Sequence, residues 1–121
     1  MSANHQAIMQ VRKLAGRISI IDIAGEITGF AEELLMTSYN EASQNNGQVI
    51  ILNFTDLAYM NSSGIGLLVT LLIRIQRQKQ KLLAYGLSEH YQQIFELTRL
   101  NEAIGIYENE AAALASLAIP A

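Results

Sequence analysis

Two adjacent serines beside glycines give the chain its most chemically suggestive segment, Asn61-Ser62-Ser63-Gly64-Ile65-Gly66, just ahead of a long apolar run. A serine in this setting could be a nucleophile, a phosphate-gripping hydroxyl or an acceptor for a phosphoryl group. The first reading fails on spacing: a nucleophile elbow has glycine two positions before its serine, where this chain has Met60 and Asn61. The second fails on composition: no lysine follows the last glycine, and no third glycine stands at the dinucleotide spacing. What remains is a pair of hydroxyls at the exposed start of a helix, beside glycines small enough for another protein's backbone to approach closely. Taken by themselves, the same hydroxyls could simply satisfy the unpaired amides of the helix's first turn.

The other candidate groups are few. The only histidines are His5, in an N-terminal tail, and His90, on a helix surface, and both read as ordinary exposed residues rather than bases. Asp22 falls in a strand. Asp56 follows a strand, where open α/β sheets place ligands, but reads as a turn residue bonding to its own backbone. Glu32 and Glu33 occupy the first turn of a helix, where acids are stabilising in any case. No two carboxylates have a spacing that argues for acid–base work. The chain has no cysteine, which excludes disulfides, thiolate chemistry and cysteine-bound zinc.

The elements that position these residues follow from periodicity. Ala7–Leu14 and Ile18–Ala24 read as a hairpin around Ala15-Gly16-Arg17, and Gly25–Gly29 as a loop. Ala31–Gln44 carries Leu34, Leu35, Ser38, Tyr39 and Ala42 at helical spacing and stops at the turn Asn45-Asn46-Gly47. Val49–Phe54 is a short, nearly continuous apolar run, as in a strand buried on both faces, followed by a loop over Thr55–Met60. Asn61 is placed to cap a helix from Ser62 to about Gln78. Lys81–Tyr85 is a second buried-type strand, Ser88–Leu97 a helix capped by Ser88, Gly105–Tyr107 a last short strand, and Asn109 caps a terminal helix through about Leu117. This order predicts one α/β domain over residues 7–118, with short tails at 1–6 and 119–121. Its sheet should have about five strands, be mixed and largely parallel after the first hairpin, and carry helices packed on it.

Composition bounds the class. At 121 residues there is room for one domain. Half the residues are apolar and 16% charged, which excludes a disordered tail and leaves an apolar surplus for a large core or a partner. A net charge of −3 predicts no general attraction to nucleic acid. The N-terminal MSANHQAIMQ lacks the features of a signal peptide. The longest apolar stretch, Ile65–Ile73, covers about 13 Å of helix against the roughly 30 Å of a bilayer core, so a soluble protein without membrane insertion is expected. In that helix Ile65, Leu68, Val69, Leu72 and Ile75 form one core-facing stripe, leaving Leu67, Leu71 and Ile73 outside it as a candidate docking face. Arg74, Arg77, Lys79 and Lys81 are expected to complement the negative end of the helix rather than bind phosphate or lipid.

Val49–Phe54, then Leu57, then Tyr59-Met60-Asn61-Ser62-Ser63-Gly64-Ile65-Gly66-Leu67-Leu68 resembles the core of the STAS domain (sulfate transporter and anti-sigma factor antagonist), most closely in bacterial anti-sigma factor antagonists. Ile23-Ala24-Gly25-Glu26-Ile27, Lys81–Leu87 and Glu96-Leu97-Thr98-Arg99-Leu100 are similar to further segments of that family, so the resemblance spans about residues 8 to 117. It implies a non-enzymatic, cytoplasmic binding domain that captures an anti-sigma factor, itself a serine kinase, and is released when phosphorylated and reset by a serine phosphatase. By position the phosphorylated residue is Ser62, with Ser63 second. The implied partner surface is Asn61, Ser62, Ser63, Gly64, Ile65, Gly66, Leu67 and Leu71, with Glu26 and Thr28 from the preceding loop. No cofactor, metal or nucleic acid is implied. The chain departs from the family pattern at Asn61, where aspartate is usual: the capping oxygen is kept and the negative charge is lost. It departs again at Gly29-Phe30, where many relatives carry a more polar loop. The alternatives are a STAS scaffold or accessory subunit without a switch, in a signalling assembly or lipid-transport system, and a small hydrolase or nucleotide-binding enzyme using Ser62 or Ser63, which lacks a base and a phosphate-binding lysine.

Overall fold

The structure is a computed structural model in which residues 6–117 are described; Pro120, His5, the expected tail 119–121 and all of the tail 1–6 but Gln6 lie outside them. Along the chain run β1 (Ile8–Leu14), β2 (Ile18–Ile27), a 3₁₀ turn (Gly29–Ala31), α1 (Glu32–Ala42), β3 (Val49–Met60), α2 (Ser62–Arg77), β4 (Lys81–Tyr85), α3 (Glu89–Leu97), a second 3₁₀ turn (Leu100–Glu102), β5 (Gly105–Tyr107) and α4 (Glu110–Ala115). One five-stranded sheet has the strands in chain order. β1 pairs with β2 antiparallel, and β2, β3, β4 and β5 are parallel neighbours.

Strand alternation sorts the core into two layers. Ile21 and Ile23 of β2, Ile50, Leu52 and Phe54 of β3, and Leu82 and Ala84 of β4 pack with Leu35 and Tyr39 of α1, Leu68 and Leu71 of α2, and Phe95 of α3. The intervening Ile20, Ile51, Leu83 and Tyr85 meet Ala113 of α4 on the opposite face. The apolar surplus of the sequence is spent on covering both faces of the sheet, as parallel strands require.

Two expectations about strand length are corrected. β2 continues through Ile27 and β3 through Met60, where loops were expected from Gly25 and Thr55. β4 pairs with β3 only as far as Asn53 and β1 with β2 only as far as Ala24, so the ends of β2 and β3 leave the sheet as a two-stranded ribbon. Register shifts between Asp22 and Ala24 and between Gly25 and Glu26 put additional residues on β3. Such bulges bend and twist a ribbon and erase the simple alternation by which a strand is recognised. Thr55, Asp56, Ala58 and Tyr59 are accordingly exposed, and Asp56 belongs to a strand rather than a self-bonded turn. Gly25, at φ +87°, is needed here, because a Cβ would collide with the Gln6 carbonyl.

Candidate functional site

The ribbon ends where α2 begins. Ile27 pairs with Met60, and the Asn61 amide donates to the Ile27 carbonyl at 3.3 Å. The neighbouring Met60 amide donates to the buried Tyr91 hydroxyl at 2.8 Å, which ties the ribbon to α3. Asn61 is extended, and its side-chain oxygen accepts from the Gly64 amide at 2.8 Å, the cap expected from the sequence. Gly64 is buried, and a Cβ there would collide with the Ile27 carbonyl oxygen and lie 2.9 Å from Met60 Cγ. Only a residue without a side chain lets α2 start this close to β2.

This packing leaves Ser62 and Ser63 exposed in the first turn of α2. Among the described residues neither hydroxyl has a hydrogen-bond partner, and the first turn contains no acid to complement the positive helix end. Thr28, partly buried, caps the neighbouring 3₁₀ turn by accepting from the Phe30 amide at 3.2 Å. Gly29 lies against Ser63, with its Cβ direction 3.6 Å from Ser63 Cβ. Phe30 is then carried into solvent, 99% exposed, and Tyr59 is 47% exposed on the ribbon. Glu26 is partly buried in β2 opposite Tyr59. The result is a rim of hydroxyls, small residues and exposed aromatics at the carboxyl ends of β2 and β3, the edge where open parallel sheets bind their partners.

The expected docking face on α2 is corrected. Leu67 and Leu71, 8% and 0% exposed, belong to the core, with Gly64, Leu68 and Ile75. Ile65 and Leu72 are partly buried at the core's margin, whereas Val69 and Ile73 are exposed at 40% and 45% and Gly66 is open to solvent. The reason lies in Gly64: its bare Cα is the closest point of the helix to β2, and it rotates α2 so that the positions three, four and seven further on point inward. Of the expected partner surface, Asn61, Ser62, Ser63, Ile65, Gly66, Glu26 and Thr28 have surface exposure; Gly64, Leu67 and Leu71 support it from beneath.

A second polar group, on the α4 face, was not expected from the sequence. Asp22, Asn53 and Tyr85 occupy one register row across β2, β3 and β4. Arg12 donates to both Asp22 oxygens, at 2.6 and 2.9 Å, and to Glu110 at 3.0 Å. Asn53 donates to Asp22 at 2.7 Å and Tyr85 to Glu110 at 3.0 Å. Hydrogen bonds from Arg12 hold the Asp22 and Glu110 carboxyls below their usual range, and burial, followed by the Glu110 bond, pushes the Tyr85 phenol up to about 12. Paired carboxylates of this kind fasten α4 to the sheet instead of exchanging protons. The signal was available: an aspartate in an otherwise apolar strand, matched by Asn53 and Tyr85 in the two strands that follow.

His90 is exposed on α3 with its ring edge against Tyr91, far in sequence from either serine and bonded to neither. Among the described residues no group of three metal-ligating side chains converges. No helix among them is long and apolar enough to cross a membrane.

A mixed five-stranded sheet with three helices on one face, a fourth on the other, and a capped helix start presenting two exposed hydroxyls defines a small α/β domain. The chain belongs to the STAS domain family, whose model matches residues 10–113. It is 28% identical over 86 residues to the anti-sigma-B factor antagonist of Listeria monocytogenes, a match covering 71% of this chain and 75% of the relative. Its fold is similar to that of an anti-sigma factor antagonist from Mycobacterium paratuberculosis, with a TM-score of 0.79 at 16% identity over 96% of this chain and 97% of that one. The Bacillus cell fate determinant SpoIIAA in its phosphorylated form gives a TM-score of 0.71 at 21% identity, over 92% of this chain and 100% of that one.

Proposed function

We propose that this chain is an anti-sigma factor antagonist: a non-enzymatic, cytoplasmic domain that binds an anti-sigma factor with serine kinase activity and is released when Ser62 is phosphorylated. The observation that carries the reading is the exposed, unbonded Ser62 hydroxyl in the acid-free first turn of α2, on the same rim as the fully exposed Phe30. Phe30, Thr28, Tyr59, Asn61 and Ser63 would supply the contact, the aromatic rings contributing most of the desolvated area. In the switching step the Ser62 oxygen takes the γ-phosphoryl group of ATP, its proton passes to the kinase, and ADP leaves. The product carries about −1.5 to −2 charges. A helix N-terminus accommodates such an anion, so the fold survives, whereas a partner surface packed on the same spot must bury it. The change is local and electrostatic. A serine phosphatase would restore the binding form.

Asn61 favours a second reading, a STAS scaffold or accessory subunit without a switch, because the position before Ser62 lacks the acid usual in the family. The two are separated by incubating the purified chain with ATP and the anti-sigma-type kinases of its own organism, and locating the phosphate by mass spectrometry. Modification of Ser62, absent in Ser62→Ala, supports the switch. A partner that binds while leaving every serine unmodified supports the scaffold and sinks the switch.

A further inference from the structure

The outer side of α2 forms a single ridge. Ser62, Gly66, Val69, Ile73 and Arg77 are exposed and recur at intervals of four, three, four and four residues, opposite the buried Gly64, Leu67, Leu68, Leu71 and Ile75. The first three intervals are those of a seam between two helices. Before Arg77 the ridge carries no charge, and it holds the two large apolar side chains that α2 exposes, Val69 and Ile73. At Gly66 the ridge is notched, since a Cβ there would meet nothing within 4 Å. The Thr70 hydroxyl beside the notch donates to the Gly66 carbonyl at 3.2 Å, so covering it leaves no donor unpaired.

This ridge is complementary to itself. In an antiparallel pair of α2 helices with a two-fold axis between Val69 and Thr70, Ile73 of each copy lies level with Gly66 of the other, a branched side chain over a bare Cα. The two Val69 side chains meet beside the axis. A parallel pair would set Arg74 and Arg77 against the same residues of the second copy, whereas the antiparallel one carries them to opposite ends and opposes the helix dipoles favourably. The segment Ser62–Arg77 contains no acid, so no side-chain attraction assists the unmodified pair. Arg77 of each copy lies level with Ser62 of the other. There it meets only the positive start of a helix, but a negative group on Ser62 would give two symmetric charge-assisted pairs.

We propose that the outer ridge of α2 is a self-association surface that takes a second copy of this chain in antiparallel register, and that negative charge at Ser62 tightens the pair through Arg77. One helix ridge covers less than the about 800 Å² per partner of a standard interface, so the unmodified chain pairs weakly and the added charge decides the outcome. A chain phosphorylated at Ser62 would then pair with its own copy, covering the phosphate and the helix start together. That consequence rests on the phosphorylation proposed above; the surface itself does not.

Sedimentation equilibrium of the full chain tests this without any kinase, so its failure is distinct from failure of the proposed function. The unmodified chain should be monomeric at about 10 µM and begin to dimerise near about 1 mM, as a contact below standard size allows. Ser62→Asp should tighten the dimer about tenfold, and adding Arg77→Ala should cancel that gain. Ile73→Glu, at an exposed position and checked for an unchanged melting profile, should leave a monomer in either background. Because the chain has no cysteine, mild oxidation reads the register. Gly66→Cys mixed with Ile73→Cys should cross-link, and neither should do so alone, because like positions lie about 10 Å apart along the helix axis. A Ser62→Asp chain that stays monomeric throughout, a gain that survives Arg77→Ala, association that survives Ile73→Glu, or cross-linking no better in the mixture than in either variant alone would each overturn the proposal.

Discussion

Gly64 and Gly66 lie two residues apart in one helix, and replacing each by alanine should have opposite effects. In an exposed helix position alanine gains about 1 kcal/mol over glycine, because the unfolded chain loses freedom it would otherwise keep. At Gly66 nothing lies within 4 Å of the added methyl, so Gly66→Ala should stabilise the domain by about that amount. At Gly64 the same gain is set against a methyl that strikes the Ile27 carbonyl and crowds Met60 Cγ at 2.9 Å. The backbone of β2 cannot yield as a side chain would, so α2 must move outward. Overpacking of this kind costs about 1–3 kcal/mol, and the lost Asn61–Gly64 cap adds about 1 more. Net destabilisation by Gly64→Ala of about 1–3 kcal/mol is expected, so the two variants should differ by about 2–4 kcal/mol. Urea unfolding followed by circular dichroism measures both. Equal effects, or a Gly64→Ala variant as stable as the parent, would refute the idea that the close approach of α2 to β2 sets the helix rotation.

Asn61→Ala should cost about 1 kcal/mol through loss of the cap, while Asn61→Asp keeps the cap, adds charge at the positive helix end and should be neutral or slightly stabilising in the same unfolding assay. Tyr91→Phe leaves the buried Met60 amide without its acceptor and should cost about 1–3 kcal/mol, with faster hydrogen exchange at the Met60 amide. The Asp22 and Glu110 carboxyls are held below their usual range, so their contribution is present above the ordinary carboxylate pKa and is lost as pH falls through the lowered folded-state values. Asp22→Asn should therefore destabilise by on the order of 1 kcal/mol at pH 7, and its difference from the parent should shrink below about pH 4 in urea melts across that range.

Much of the architecture is written in local chemistry. Asn61, Ser88 and Asn109 mark the starts of α2, α3 and α4, and β4 and β5 have the limits that their apolar runs suggest. The outer ribbon of β2 and β3 was not legible, because its bulges scramble the alternation and its exposed Thr55, Asp56 and Tyr59 resemble a loop. The phase of α2 is hidden for a related reason. Counting large apolar residues gives no weight to Gly64, although the missing side chain is what brings that face of the helix to the sheet. The serine rim was legible as a motif, but the full exposure of Phe30 depends on the 3₁₀ turn capped by Thr28, and the Arg12 cluster depends on strand register that a linear chain does not display.

Whether Ser62 is the switch is measured most directly by calorimetric titration of the anti-sigma-type kinase with three forms of the chain: unmodified, phosphorylated at Ser62, and Ser62→Asp. Tight binding of the unmodified chain is expected, with affinity falling about 100-fold or more (about 2.7 kcal/mol) on phosphorylation and in the same direction for Ser62→Asp, while the melting temperatures of the three forms stay close. Equal affinity of the unmodified and phosphorylated forms would contradict the proposed function.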